Sequence, residues 1–399
     1  MSETETIIRL AAKGDGVTAS GEHVRGALPG DLVSDGAIVE LGAHHVEPPC
    51  DHFGKCGGCQ LQHADEAALE AFVHDRVVNA ARGQGLEVGE VLPVHLSPFR
   101  TRRRATLHGM RTQNGAVLGF REAGSHRIVD LAECHVINPA LLNLVQPLRG
   151  FIARHGPPKG AVDAQLSLCD QGADLGLTHF ALDGLEATEA ALDFARDNAL
   201  ARLTIDQGYG PETVWEPEPV AVTLGGVPVP MPPGSFLQAT PDAEARMIAD
   251  ADEWLQESKL VSDLFSGLGT FAFALRDGRK LLAVEADRSA HLACKTAAVR
   301  AGGSVHALHR DLFRNPLQAT ELSRFDAALL DPPRAGAKAQ VGEIAASDLS
   351  RVVYVSCNPS SWARDAAQLV EVGFRLSKLR PVGQFRWSTH VELTSLFER

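Results

Sequence analysis

The sequence lacks the features that would place it in or across a membrane. It begins MSETETIIRL, which is not a basic segment followed by an apolar one. No uninterrupted apolar run approaches the roughly 20 residues of a membrane-spanning helix. We therefore expect a cytoplasmic protein that makes no membrane contact, and no feature indicates an obligate protein partner. A chain of 399 residues is long enough for two or three domains, each with its own core.

Cysteine is scarce, with seven residues in the whole chain. In a reducing compartment so few cysteines are not expected to form structural disulfides. Three of them nevertheless stand close together in CDHFGKCGGCQLQH, where Cys50, Cys56 and Cys59 have the spacing C-x5-C-x2-C. A cluster of this kind indicates a metal site or a catalytic thiol. Which metal it would bind, and which residue would complete the ligand set, stays open at this point.

Positive charge is also in short supply, since the formal net charge is −12. Residues 100–127 are an exception, with seven arginines, no lysine and one acid, Glu122. The stretch could be a solvated strand face. Arginine without lysine favours a surface that contacts phosphate groups, because the guanidinium binds phosphate in a bidentate manner.

The pattern along the chain predicts three domains. Residues 1–46 alternate short apolar runs with glycines, as in a small β-barrel. Residues 47–225 contain the cysteine-rich loop, one helix over 64–84 that could pack on the last domain, and many short strands. Residues 226–399 alternate apolar strands with alanine-rich helices, which predicts an α/β domain with a parallel sheet. Ligands of such sheets bind at the carboxyl ends of the strands.

A glycine turn in the last domain predicts a nucleotide-containing ligand. In VSDLFSGLGTFAFAL a strand leads into Gly267 and Gly269 and then into an apolar helix. The next strand ends at Glu285, which is placed to bind ribose hydroxyls, and a third ends near Asp311, which could meet an adenine amino group. The third glycine of a dinucleotide fingerprint is missing. The pattern therefore favours S-adenosylmethionine over a nicotinamide cofactor, with a turn that binds nothing as the remaining alternative.

Two further strand ends carry reactive groups. FDAALLDPPRAG ends in Asp331, and RVVYVSCNP ends in Cys357, at the sheet edge where ligands bind. A thiol here, together with a methyl donor, suggests methylation of a pyrimidine at C5, because addition of a thiolate at C6 activates the neighbouring carbon. The reaction also needs a base for the C5 proton, and HVELTSLFE offers Glu392. Taken alone, Cys357 could be a core residue and Glu392 an exposed strand residue.

These motifs together resemble one family. The sequence is similar to the class I S-adenosyl-L-methionine-dependent RNA uracil-5-methyltransferases, in particular the iron–sulfur branch that methylates bacterial 23S rRNA. The resemblance covers nearly the whole chain and rests on GDGV, GALPGDLV, CGGCQLQH, GSFLQ, DLFSGLGTFAF, DPPRAG, VSCNP and HVELTSLF, in that order.

The resemblance implies a fold and a set of functional residues. It implies a Rossmann-like class I methyltransferase domain and an N-terminal TRAM barrel of OB type that binds RNA. It also implies a β-rich central domain that carries an iron–sulfur cluster and binds RNA. Cys357 would be the nucleophile and Glu392 the base. The S-adenosylmethionine pocket would contain Gln238, Phe265, Glu285, Asp311 and Asp331.

The resemblance also implies the fourth ligand of the cysteine cluster. Cys134, in LAECHVI, would join Cys50, Cys56 and Cys59 around a 4Fe-4S cluster with an architectural role, with structural zinc as the alternative. The cluster cysteines favour 23S rRNA as the substrate. The alternatives are a tRNA uracil-5-methyltransferase and a non-catalytic iron–sulfur protein that binds RNA.

Overall fold

The N-terminal segment forms a small antiparallel sheet in the computed structural model, which describes residues 4–399. Its strands are β1 (Glu5–Leu10), β2 (Gly16–Thr18), β3 (His23–Val24), β4 (Leu32–Ser34) and β5 (Ala37–Glu40), in the order β3-β2-β1-β4-β5. Ile7, Val24 and Val33 pack into a core of their own. The sheet agrees with the expected small β domain, and its assignment as a TRAM barrel stays a prediction.

The next helix and two short strands pack on the C-terminal part of the chain. They are α1 (Glu66–Gly83), β6 (Val88–Val91) and β7 (His95–Leu96). Asp65 caps α1 by accepting a hydrogen bond from the Ala68 amide. Phe72 and Val77 of α1 share an apolar cluster with Trp362 and Leu379. Residues 66–96 are therefore packed on the C-terminal sheet, while the domain limits at residues 46 and 225 stay predictions.

The middle of the chain forms a six-stranded sheet covered by helices. Its strands are β8 (Arg104–Thr112), β9 (Gly115–Gly119), β10 (Val162–Cys169), β11 (Gly172–Thr178), β12 (Leu200–Asp206) and β13 (Pro211–Trp215), and its helices are α2 (Pro139–Leu142), α3 (Val145–His155) and α4 (Gly184–Asp197). The strand order is β13-β12-β11-β10-β8-β9. Phe151 and Phe194 stack beneath one face of this sheet. The opposite face is polar. A hairpin of β14 (Ala221–Leu224) and β15 (Val227–Pro230) follows.

The C-terminal part contains the nine-stranded sheet. Besides β6 and β7, its strands are β16 (Leu260–Leu264), β17 (Lys280–Glu285), β18 (Val305–His309), β19 (Ala327–Leu330), β20 (Arg351–Ser356), β21 (Arg375–Gly383) and β22 (Glu392–Glu398). The helices are α5 (Pro241–Trp254), α6 (Thr270–Ala274), α7 (Arg288–Arg300), α8 (Ala319–Leu322), α9 (Lys338–Ala346) and α10 (Pro359–Glu371). The order is β18-β17-β16-β19-β20-β22-β21-β6, with β7 also paired to β21.

The expected parallel sheet is confirmed for β16 to β20, and β22 runs antiparallel to β20. The chain passes from β16 to β17 on one side and returns to β19 on the other, so the direction of winding reverses between β16 and β19. Such a reversal opens a crevice at the carboxyl ends of the strands, where α/β sheets bind their ligands. No helix within residues 4–399 is long and apolar enough to cross a membrane.

Candidate active site

A cavity opens at the carboxyl edge of the nine-stranded sheet, above the point where the winding reverses. Its wall contains six of the seven residues expected at the reaction site: Gln238, Phe265, Glu285, Asp331, Cys357 and Glu392. Asp311 is the exception. It lies on the loop that lines the cavity, but its carboxylate accepts hydrogen bonds from the amides of Phe313 (2.9 Å) and Arg314 (3.2 Å). The structure thus brings together residues that are up to 154 positions apart in sequence, from 238 to 392.

The glycine turn after β16 faces Glu285. Gly267 has φ 54° and donates its amide to Glu285 Oε2 at 2.8 Å. The other carboxylate oxygen accepts from the amides of Ala286 and Asp287. These three backbone donors fix the half-buried carboxylate at the cavity wall. Oε2 keeps a lone pair for a further donor, as a ribose hydroxyl would be, whereas Oε1 already accepts two hydrogen bonds.

Two aromatic rings frame the same part of the cavity. Phe265 and Phe313 have ring centroids 5.4 Å apart, and Phe265 adopts a left-handed backbone with φ 64°. A positive φ is uncommon outside glycine and often marks functional sites. The rings provide the apolar surface that a planar base needs. Phe313 was not singled out by the sequence, because it follows the strand end by several residues.

Cys357 and Glu392 are neighbours across two strands. In the β20–β22 pair Ser356 stands opposite Leu393, so the next residue of each strand places Cys357 beside Glu392 at the same edge. Asn358 caps α10 and Pro359 occupies its first turn. Cys357 therefore precedes the amino terminus of a helix, where the partial positive charge favours a thiolate.

Burial changes the proton affinity of all three central groups. It raises the pKa of Asp331 to about 7. Burial, with the charge of Asp331, raises the pKa of Glu392 to about 8. Burial, together with Glu392 and Asp331, raises the pKa of the Cys357 thiol to about 11, while Arg334 opposes this rise. At neutral pH the free site thus favours protonated groups, as expected where three acids lie close together and are partly buried.

A chain of side-chain amides connects the two carboxyl groups. Gln238 donates to Asp331 at 2.9 Å, and Gln384 donates to the Gln238 oxygen at 3.3 Å. Gln384 also accepts from the Ala239 amide at 3.0 Å, and its hydrogen bond to Glu392 lowers the pKa of that carboxyl. Sequence reasoning missed Gln384. The available signal was a polar residue directly after strand β21.

The four cysteines expected to bind a cluster line a second, small cavity. Cys50, Cys56, Cys59 and Cys134 are in its wall together with Arg102. The loop that carries the first three is fixed to the central sheet, because the Gly57 amide donates to the Arg121 carbonyl at 2.9 Å. Ala132 lies two residues before Cys134, and its amide donates to the His52 ring at 3.0 Å. Residues far apart in sequence thus form one thiol-rich site.

The thiols do not converge on a point. Within the described residues, no three His, Cys, Asp or Glu side chains are arranged to hold a single metal ion. Burial raises the pKa of Cys50 and Cys56, and raises that of Cys59 to about 12. Of the other cysteines, Cys294 is buried in the core, whereas Cys169 is partly exposed.

The cysteine loop touches the segment that leads to Glu392. The amides of Gln60 and Leu61 both donate to the carbonyl of Trp387, at 2.8 and 2.9 Å. The side chain of Gln60 accepts from the Thr389 amide at 3.2 Å. The thiol-rich site and the candidate active site are therefore joined by three hydrogen bonds through one short segment.

The arginines of residues 100–127 do not form one surface. Arg102 lines the thiol-rich cavity. Arg103 pairs with Glu244 and donates to the Gln238 carbonyl. Arg104 packs over the Phe236 ring at 4.2 Å. Arg127 pairs with Glu122. These four arginines thus serve separate contacts, of which Arg104 touches a wall residue of the candidate active site, and the phosphate-contacting surface stays a prediction.

Known proteins resemble the chain both in sequence and in fold. Residues 230–399 match the family model described as tRNA (uracil-5-)-methyltransferase. An uncharacterised RNA methyltransferase of Zymomonas mobilis is 47% identical, covering 98% of this chain and 99% of that protein. The 23S rRNA (uracil(1939)-C(5))-methyltransferase RlmD of Vibrio vulnificus is 30% identical, covering 94% of this chain and 91% of that one.

A solved structure shows the same fold along the whole chain. It is the tRNA (uracil-54, C5)-methyltransferase of Pyrococcus abyssi in complex with S-adenosyl-L-homocysteine, with a TM-score of 0.77 and 21% identity, covering 99% of each chain. The class I methyltransferase fold expected from the sequence is thereby confirmed. The full-length similarity at 47% and 30% identity shows that the chain belongs to the RNA uracil-5-methyltransferase family.

Proposed function

We propose that the protein methylates C5 of a uridine in RNA, with S-adenosylmethionine as the methyl donor and Cys357 as a covalent nucleophile. The observation that carries this proposal is the position of Cys357 beside Glu392 in the wall of the cavity that also contains Glu285 and Phe265. A uridine in a folded RNA would have to leave its stack to reach this cavity.

The chemistry requires a nucleophile and a base in these positions. C5 of uracil is too weak a nucleophile to accept a methyl group unaided. Cys357, after losing its proton, adds to C6, and the electron pair of the C5–C6 double bond then attacks the methyl group from C5. S-adenosylmethionine supplies that group as a cation equivalent from its sulfonium. Glu392 takes the C5 proton, the double bond re-forms and the Cys357 sulfur leaves. The net change at C5 is a methyl group in place of a proton.

The electrostatics suit these roles. A carboxyl whose pKa lies near 8 is a stronger base than an ordinary glutamate, so the Glu392 carboxylate holds the abstracted proton well. The pKa of the Cys357 thiol, about 11, must fall before the sulfur can attack uracil as a thiolate. Arg334 and the amino terminus of α10 both favour the thiolate, and Arg334 lines the cavity.

The cavity wall fits the methyl donor. Glu285 would accept the ribose hydroxyls, and Phe265 with Phe313 would contact the adenine ring. Gln238 and Asp331 would lie toward the amino acid end and the uracil. Asp311 would reach the adenine amino group through its loop, which contributes Leu312 and Phe313 to the wall.

We infer that the four cysteines bind a 4Fe-4S cluster. The donor set fits, because the cavity offers four thiols and the Arg102 guanidinium, which would balance the negative charge of a thiolate-bound cluster. In a cluster each thiolate binds a different iron, so the sulfurs stay apart. A zinc ion instead draws all four to about 2.3 Å from one point. Structural zinc, which four thiolates also bind, is the alternative. The role of the cluster would be to hold the loop against Trp387.

The RNA substrate that we propose is 23S rRNA, acted on before or during ribosome assembly. The support is the relative named for that activity, together with the four cysteines. Transfer RNA is the second candidate, favoured by the description of the family model that matches residues 230–399.

The test is transfer of labelled methyl groups from S-adenosylmethionine to protein-free rRNA and to unmodified tRNA in parallel. We expect label in 5-methyluridine of 23S rRNA, at a single position. Label in tRNA alone would show that tRNA, and not 23S rRNA, is the substrate. Tight RNA binding without label in either RNA would contradict the enzyme and favour a non-catalytic RNA-binding protein.

A further inference from the structure

The polar face of the central sheet forms a groove outside the reaction cavity. Along each strand, apolar side chains such as Leu107 and Leu166 point to the core, and the alternate residues point the other way. Those alternate residues line the groove, together with the loop at 233–235. They include Arg104, Thr106, Gln165, Ser167, Gly176, Thr178 and Thr204.

The strand register builds a flat hydrogen-bonding row across the groove. Thr106 stands opposite Gln165, Gln165 opposite Gly176, and Gly176 opposite Thr204. Gly176 has no side chain and leaves a shallow hollow in this row, which Thr204 Oγ1 and the Gln165 Cβ border closely, at 3.2 and 3.8 Å from where a Cβ would lie. The hollow is thus bordered by one amide and two hydroxyl groups that can donate and accept hydrogen bonds.

The groove continues into the reaction cavity. Pro233, Gly234 and Ser235 line both spaces. Arg104 lies at the junction of the two spaces. It lines the groove, and its guanidinium packs 4.2 Å from the ring centroid of Phe236, which lies in the cavity wall. Its charge also lowers the pKa of Glu392. The Phe236 side chain is 57% exposed and therefore offers a ring face to a ligand.

The acidic residues of the groove are already engaged. Asp174 forms a bidentate pair with Arg202, at 2.9 and 2.7 Å. Asp206 accepts from the amides of Gly208 and Gly210 at 2.7 and 3.0 Å. Arg104 is in no ion pair within the described part of the chain. The groove therefore combines a cation at the cavity junction with neutral donors and acceptors further along.

We propose that this groove binds an unpaired nucleotide of the substrate RNA next to the methylated uridine. The inference rests on the proposed function. The base occupies the hollow over Gly176 and hydrogen-bonds to Gln165 and Thr204, and Arg104 contacts the phosphate that joins this nucleotide to the uridine. Extruded bases read on their edges by side chains are the usual basis of sequence-specific RNA recognition. A peptide is disfavoured because the residues that line the groove are mostly polar.

The experiment combines one variant with altered RNA. An oligoribonucleotide containing the methylated uridine is made with an abasic site at each flanking position in turn. Wild type and Gln165→Ala are compared by KM for RNA, KM for S-adenosylmethionine and kcat. Gln113→Ala, in the exposed turn between β8 and β9 of the same sheet, is the control.

The proposal expects Gln165→Ala to raise KM for RNA about tenfold, without a change in KM for S-adenosylmethionine. One abasic position raises KM to a similar extent in the wild type and has no further effect in the variant. If the effect of Gln165→Ala and the effect of the abasic site on KM multiply at every flanking position, the proposal is overturned. Thr106→Val, at an exposed strand position, gives the same comparison if Gln165→Ala does not fold. A wild type that methylates no RNA would instead refute the proposed function, and this inference with it.

Discussion

Gln238 donates a hydrogen bond to the Asp331 carboxylate at 2.9 Å, in a cavity where Gln238 is buried and Asp331 is half-buried. The donor favours the charged carboxylate and so opposes the effect of burial, which raises the pKa of Asp331 to about 7. The proton affinity of Asp331 near neutral pH therefore depends on one amide, which is in turn held by Gln384.

Replacing this donor should shift the pH dependence of the reaction. In Gln238→Leu the Asp331 carboxylate loses its donor, so the pKa of Asp331 rises. We expect the rising limb of kcat/KM against pH to move upward by about one pH unit, since a hydrogen bond to a charged group contributes about 1.5–3 kcal/mol. The profile is measured from pH 5 to 10, with Gln113→Leu as a control. An unchanged midpoint would mean that Asp331 does not titrate in this limb.

The variant Glu392→Gln should allow the attack of Cys357 on uracil but block the later release of the Cys357 sulfur. Glutamine resembles the protonated carboxyl that predominates below pH 8, so we expect the variant to fold and to bind RNA normally. Without a base the methylated adduct cannot lose its C5 proton, and kcat falls by about 10²–10⁴-fold. A denaturation-resistant complex with ordinary uridine RNA should then accumulate on gels. Glu398→Gln, at the far end of β22, is the control. Turnover at the wild-type rate would exclude Glu392 as the base.

Asp263 should make stability fall as pH rises. Burial raises its pKa to about 8 from the ordinary value of 3.8, and its Oδ1 has no hydrogen-bond partner among the described residues, as suits a protonated acid. Between pH 4 and 8 the folded state thus holds a proton that the unfolded state releases, which costs about 1.4 kcal/mol of stability per pH unit.

The isosteric variant Asp263→Asn removes this titration. We expect little change in the free energy of unfolding near pH 4 and a gain that grows steadily up to pH 8, measured by chemical denaturation. Asp331 and Glu392 titrate in the same range with the same sign, so the difference between the two proteins isolates Asp263. The exposed Asp277→Asn is the control. Parallel curves for wild type and Asp263→Asn would show that Asp263 is ionised when folded.

The thiol-rich cavity should contain iron and sulfide. Protein purified without oxygen is expected to hold about four of each per chain and to absorb visible light. Cys56→Ser should lose both signals, whereas Cys169→Ser, outside the cavity, should retain them. Because Gln60 and Leu61 contact Trp387, loss of the cluster should also increase proteolysis of the 50–63 loop. Stoichiometric zinc without sulfide would identify the alternative metal.

Much of the site could be predicted because it is local to strand ends. Asp331 and Cys357 each follow an apolar strand, and a parallel sheet brings such positions to one edge. The convergence of Cys134 with the other three cysteines came from family resemblance alone. Nothing in its own segment, LAECHVI, distinguishes it from a core cysteine.

The features that were missed depend on contacts between distant segments. The arginine-rich stretch has the composition of a phosphate-binding face, but Arg103 is taken up by Glu244, which is 141 positions away. Gln384 and Arg104 gain their significance from Glu392, on another element. Composition and spacing describe one segment at a time, so they could not reveal these pairs.

The central claim is that the Cys357 sulfur bonds to C6 of the target uracil. RNA with 5-fluorouridine at the target position has no C5 proton to remove, so the adduct cannot break down after methyl transfer. We predict a stable protein–RNA complex that forms only with S-adenosylmethionine, is absent in Cys357→Ala, and yields a Cys357-linked nucleotide on mass spectrometry of its peptides. Wild-type protein that methylates ordinary RNA yet forms no such bond would contradict the account.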